Sequence, residues 1–190
     1  MAPGHRLVEV DLVAMLSLNR SAVRSVIDTL VAEGLAERVP NRGARVRIVP
    51  AEQAVAITEC RMVLEDLLAR RAADRITEPE VTELRATLEC MRTAVQTGDV
   101  VTCSRLVQQL YRHLHSAARQ PIAAALIDRL QAQLVHHQFR LLLRPGRPHV
   151  SLAELTALVD AIAERDGDRA AAVVSDHFRG VLTALRQAPA

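Results

Sequence analysis

The chain has 190 residues, 49% of them hydrophobic but only 2% aromatic, and a formal net charge of +2. That length allows one or two domains, and a core built from Ala, Val and Leu suits helices. No apolar run approaches the ~20 residues of a membrane span, and no signal-peptide core opens the chain. Cys60, Cys90 and Cys103 have neither the even number of a disulfide framework nor Cys-x-x-Cys spacing. A cytoplasmic protein with reduced, buried thiols is therefore expected. All 24 basic residues are Arg. Residues 1–50 hold seven of them against five acids, and the remainder holds 17 of each sign, so the excess positive charge lies on the N-terminal segment.

In chain order, Val8, Leu12, Val13 and Leu16 fit one face of a short helix. Asn19 then supplies an N-cap, and Val23, Val26, Ile27, Leu30 and Val31 recur at helical spacing. Gly34 stands where a helix ends in a left-handed residue. Arg20, Ser21 and Arg24 share the first turns of this helix. An apolar back with guanidiniums and a hydroxyl at the N-terminal end is the layout of a helix that reads a DNA major groove. Two strand-like runs follow, Leu35 to Val39 and Ala44 to Ile48, around the turn Pro40-Asn41-Arg42-Gly43. The second run alternates Ala44, Val46 and Ile48 with Arg45 and Arg47, giving a hairpin with one apolar and one basic face. Its arginines suit phosphates or a minor groove.

This stretch resembles the winged helix of the GntR family of bacterial transcription regulators. The carriers are Leu16-Ser17-Leu18-Asn19-Arg20-Ser21-Ala22-Val23-Arg24-Ser25-Val26-Ile27, then Glu33-Gly34-Leu35, then Asn41-Arg42-Gly43. Ala22 and Ser25 depart from the family's usual Pro and Glu. The resemblance implies operator contacts by Asn19, Arg20, Ser21 and Arg24 from the helix, and by Arg42, Gly43 and Arg45 from the wing. It also identifies Pro3-Gly4-His5-Arg6-Leu7 with the family's Pro-Gly-x-x-Leu loop. The domain's usual first helix is then expected to be missing, which leaves either a shortened start or a reduced DNA-binding unit.

Pro50 marks the expected boundary. Beyond it the pattern is helical, with helices read at about 51–76, 79–97, 100–118, 121–143, 151–165 and 168–187. The expected fold is mostly α. A partial winged helix-turn-helix with a β-hairpin wing occupies residues 1–50, and a six- to seven-helix antiparallel bundle occupies residues 51–190. The second part resembles the FCD ligand-sensing domain of the FadR subfamily. Its carriers are Glu59-Cys60-Arg61-Met62-Val63-Leu64-Glu65, Ala117-Ala118-Arg119-Gln120-Pro121, and the Asp166-Gly167-Asp168 turn before a helix containing His177.

Many FCD domains hold a metal through an Asp and three His. The resemblance carries these positions onto Val107, Tyr111, Leu155 and His177, of which only His177 is a ligand type. No metal and no cofactor are therefore expected. Leu152, Leu155, Val159 and Ile162 form an apolar stripe, as do Val173, His177, Val181 and Ala184, so Leu155 and His177 should face inward. His177 and Tyr111 then either line a pocket for an organic ligand or form a plain hydrogen-bonded core pair. Arg61 interrupts the apolar stripe Ile57, Leu64, Leu68, Ala72. A buried guanidinium needs an anion, either a ligand carboxylate or phosphate, or Glu65 four residues on. His137 shares a face with Leu130, Leu134 and Leu141 and should also point inward. No P-loop, Gly-x-Ser-x-Gly or dinucleotide-binding glycine motif occurs, so nothing marks an enzyme.

The function expected from these readings is a homodimeric regulator of a palindromic operator. A small organic acid or related effector in the helical domain would control it. The alternative is a diverged FCD scaffold reused as a small-molecule-binding protein or enzyme through His177, Tyr111 and Arg61, with lost or impaired DNA binding.

Overall fold

The computed structural model describes residues 2–40 and 42–187; Asn41 of the wing turn lies outside them. The chain forms two compact units, Met1–Pro50 and Ala51–Ala190.

The first unit contains β1 (Arg6–Leu7), α1 (Glu9–Leu16), α2 (Arg20–Ala32), β2 (Ala36–Val39) and β3 (Gly43–Val46). The three strands form one antiparallel sheet in the order β1-β3-β2, with Leu7 opposite Ala44 and Glu37 opposite Arg45. The first strand has no counterpart in the sequence reading, because two residues are too few to show a period. Its pairing comes from the free edge of β3. The Asn19 Oδ1 accepts from the Ala22 N–H at 2.8 Å and starts α2. The helix closes as a Schellman motif: the Gly34 N–H donates to Val31 and the Leu35 N–H to Leu30, with Gly34 at φ +74°. Leu35 thus belongs to the helix cap and not to the following strand. Only glycine takes this conformation without crowding its own Cβ, so Gly34→Ala should cost about 1 kcal/mol, measurable as a lower denaturation midpoint of this unit.

Val23, Ile27, Leu7, Leu12, Ala36 and Ala44 make the small core of this unit, with Leu30, Val31, Val13 and Val46 packed against it. Four expected inward residues are exposed instead: Val26 (42%), Ile48 (54%), Val8 (41%) and Leu16 (45%). A 13-residue helix seated on so small a core buries a narrow stripe, centred on Val23 and Ile27, and leaves its flanks in water.

The second unit is all helical: α3 (Ala51–Arg75), α4 (Glu78–Gln96), α5 (Val100–Ala117), α6 (Pro121–Leu142), α7 (Arg147–Ala163) and α8 (Gly167–Arg186). The sequence breaks act as caps. Thr77 and Glu80 form a capping box, and Asp99, Gln120 and Asp166 accept from the first turns of α5, α6 and α8. The difference lies at α7, which starts at Arg147 and not near 151. Pro148 sits in its first turn, where no N–H is needed, so this proline opens the helix instead of ending the loop. α3 is the centre of the unit and packs against α5, α6, α7 and α8, most extensively against α8. Ala69, Ala72 and Ala73 of α3 and Ala170 and Ala171 of α8 are fully buried, small enough for the two helices to lie close. Leu68, Leu84, Met91, Leu110, Leu114, Ile127, Leu158 and Ile162 fill the surrounding core. Among the cysteines only Cys103 is buried; Cys60 and Cys90 are exposed, contrary to the expectation of buried thiols, because they lie on the outer faces of α3 and α4.

Candidate functional site

Two regions gather the residues that the sequence singles out. The first is the N-terminal end of α2 with the wing. Asn19, Arg20, Ser21 and Arg24 are all exposed there. The Asn19 carbonyl oxygen is engaged in the cap. The Arg24 Nε–H donates to both carboxylate oxygens of Glu9, at 3.1 and 2.9 Å, and so ties α2 to the first turn of α1. On the wing, Arg45 Nε donates to Glu37 across the strand pair at 2.5 Å. Arg38 pairs with Asp28 of α2. Arg42 is exposed at the turn, where its carbonyl accepts from Arg6 Nη2 at 3.2 Å. Gly43 takes φ +82° as the chain enters β3. Arg20 and Arg42 have no acidic partner among the described residues. The geometry offers two open cations and a helix N-terminus, the combination that holds phosphates, beside arginines restrained by carboxylates.

The second region is a cavity of about 80 Å³ inside the helical unit. Five of the six helices, all but α4, contribute to its wall. α5 gives Val107, Gln108 and Tyr111; α6 gives Gln131 and Gln138; α3 gives Arg61; α7 gives Arg147 and Ser151; α8 gives His177 and Phe178. Spacings of three, four and seven residues, as in Val107, Gln108 and Tyr111, Gln131 and Gln138, or Arg147 and Ser151, put such residues on one side of a helix. The space suffices for several waters or a small organic molecule.

Arg61 is buried (3% exposed), as is Glu65 (0%). Arg61 Nη2 donates to Glu65 Oε1 at 2.9 Å and to Gln131 Oε1 at 3.3 Å, and the guanidinium lies 5.1 Å from the Phe178 ring centroid. The Glu65 Oε2 meets His115 Nε2 at 2.8 Å. Burial pushes the Glu65 pKa up, but His115 and Arg61, by hydrogen bond and charge, outweigh it and leave the carboxyl below its ordinary range. A parallel group stands on the α7–α8 side: Glu154 Oε2 meets His177 Nδ1 at 2.6 Å and accepts from Arg147 Nη2 at 3.0 Å. Burial likewise raises the Glu154 pKa, and His177 and Arg147 reverse the shift. Tyr111 joins the two groups, its ring 5.9 Å from that of His115 and 6.4 Å from that of His177. Burial first, and the Glu65 charge second, hold its hydroxyl well above the ordinary tyrosine range, so it stays a donor.

Two polar atoms on this wall lack a partner. The Arg61 Nε–H and the Tyr111 hydroxyl are both buried and make no hydrogen bond. Buried donors are normally satisfied, and both residues line the same cavity.

The structure therefore brings together Arg61, Val107, Tyr111 and His177, and leaves out two residues expected with them. Leu155 is buried (1%) in the apolar core and not at the cavity wall. The α7 residues at the wall are Ser151 and Arg147, one and two turns earlier. His137 is half-buried beside His136, while Gln131 and Gln138 hold the α6 positions on the cavity. An apolar helical stripe identifies the inward side of a helix, but not which part of that side borders a void. Sequence reasoning also passed over His115, Glu154 and Arg147. Arg147 falls between the helices read at about 121–143 and 151–165, and no spacing along one helix marks His115 or Glu154. Only Glu65, four residues after Arg61, was visible in advance.

The sequence profile of the FCD domain matches residues 56–180, and that of the bacterial regulatory proteins of the gntR family matches residues 1–46. The chain is 25% identical over 187 residues to the HTH-type transcriptional repressor RspR of Escherichia coli (strain K12), covering 98% of this chain and 82% of the relative. It is 27% identical over 202 residues to the Nta operon transcriptional regulator of Aminobacter aminovorans, covering 98% and 89%. Among solved structures, E. coli McbR/YncC shares the fold with a TM-score of 0.88 at 20% sequence identity, over 98% of this chain and 89% of that one.

Proposed function

The chain belongs to the gntR family of bacterial transcription regulators that carry an FCD domain, and from that premise we propose that it binds a palindromic operator as a homodimer under the control of a small organic acid. The DNA contacts are assigned to Arg20, Ser21 and Arg24 of α2 and to Arg42, Gly43 and Arg45 of the wing. No described helix is long and apolar enough to cross a membrane, in keeping with a protein that works on DNA in the cytoplasm.

The effector reading is carried by one observation: two buried donors without partners, Arg61 Nε and Tyr111 Oη, belong to the wall of one cavity. Glu65 and Glu154 neutralise the two arginines there but are absent from the wall, so no carboxylate borders the cavity itself. A small carboxylate has the acceptors to satisfy both orphan atoms without a metal ion. Binding shifts regulation only if the acid prefers one arrangement of the dimer over another.

A thermal-shift titration with a panel of small mono- and dicarboxylates tests the site. At least one acid should raise the Tm of the full chain. Tyr111→Phe deletes an unsatisfied hydroxyl and should leave the ligand-free Tm equal or higher, while weakening the effective acid about tenfold. Equal affinity in the variant would remove Tyr111 from the site. No response to any acid would overturn the effector class.

A further inference from the structure

We propose that Glu9 is a positioning residue for Arg24, setting that arginine to read a guanine; the inference rests on the assignment of α2 as the DNA-contacting helix.

Glu9 is the first residue of α1, where the helix dipole favours a carboxylate. Its two oxygens share one donor, the Arg24 Nε–H, at 3.1 and 2.9 Å. Among the described residues, neither Nη of Arg24 enters a hydrogen bond, and the side chain is 65% exposed. A guanidinium is planar, so tethering Nε–H fixes the plane of the whole group. What remains free is the outer edge, where two parallel N–H groups form a fork. That fork matches the paired acceptors N7 and O6 on the major-groove edge of guanine.

Charge points the same way. The carboxylate cancels most of the attraction that Arg24 would otherwise exert on any phosphate, which is the sequence-independent part of DNA affinity. Arg20, four residues earlier on the same helix, has no acidic partner among the described residues and is free to take phosphate. The two arginines thus divide the work, one placing the helix and one discriminating bases. An exposed pair of this kind adds little to stability, so its loss should not unfold the unit.

The test uses the full chain and a duplex that it selects from a random pool. In the wild type, replacing one guanine of each half-site by 7-deazaguanine, which lacks N7, should weaken binding about tenfold. In Glu9→Gln the same replacement should have little effect. The variant should bind a scrambled duplex as well as or better than wild type, so the specificity ratio falls about tenfold. Glu9→Gln added to Arg24→Ala should change nothing further, which a merely structural role would not produce. Thermal melting by circular dichroism should be the same for all variants. If Arg24→Ala loses discrimination while Glu9→Gln keeps the wild-type guanine profile, the positioning role is wrong and the helix assignment stands. If no duplex is enriched, or Arg24→Ala changes nothing, both fall.

Discussion

Replacing Glu65 by alanine should destabilise the helical unit by about 3–5 kcal/mol, the usual cost of leaving a buried charge without its partner. Glu65 is fully buried and is the acceptor that both Arg61 and His115 use, at 2.9 and 2.8 Å. Without it, the Arg61 guanidinium keeps only the Gln131 oxygen and the face of Phe178. A domain of this size has about 5–15 kcal/mol of stability in total, so the variant should show a much lower denaturant midpoint. Glu65→Gln retains the shape and one acceptor, and should lose less.

The same carboxylate gives a sign for pH dependence. Its pKa is lowered in the folded state from an ordinary 4.5, so the unfolded chain takes up the proton more readily than the folded one. The stabilisation is complete above the unfolded value, and is lost as pH falls through the lower folded value. Glu154 acts with the same sign. The unfolding free energy should therefore decline progressively on acidification below about pH 4.5, and decline less in Glu65→Gln. An equal acid response in both proteins would show that Glu65 is not a main contributor.

The second large effect is expected at Ile27. Ile27 is 2% exposed and, with Val23, forms the inner face of α2. Ile27→Ala removes about 2–5 kcal/mol by lost burial and the cavity left behind. The Met1–Pro50 unit has a core of only a few side chains, and so small a unit has little reserve. We expect Ile27→Ala to abolish operator binding while the transition of the helical unit stays at its wild-type temperature, read by mobility titration beside a melt followed at the helical signal. Wild-type DNA affinity in this variant would mean that α2 is held by something other than its own core.

Operator contacts and effector binding make opposite demands on structure. In the proposed function Arg20, Ser21 and Arg24 are the residues that meet DNA, a ligand too large for any cavity, and they are exposed. Arg61, Tyr111 and Glu65 lie inside, where desolvation strengthens every electrostatic interaction and makes an unpaired donor costly. On the effector reading proposed above, an acid that satisfies Arg61 Nε and Tyr111 Oη would relieve an existing deficit instead of merely adding a contact.

Local signals in the sequence determined the elements, because caps and periodicity act over a few residues. Asn19, Gly34, Thr77, Asp99, Gln120 and Asp166 each end or begin a helix where their chemistry indicates. The stripe around Val23 and Ile27, the wing strands and the inward side of Arg61 were legible for the same reason. Tertiary structure alone decided which inward residues border empty space and which border other side chains. It placed Leu155 in the core and Ser151 at the cavity, although both lie on the inner side of α7. It also chose the partners of the buried charges. Residue 115 lies 50 positions from Glu65, and residue 177 lies 23 from Glu154; no helical period links such distances. The pairing of β1 with β3, the tether of Arg24 to Glu9 and the two orphan donors belong to the same class. Each depends on how surfaces far apart in the chain meet, and side-chain spacing along one helix carries no record of that.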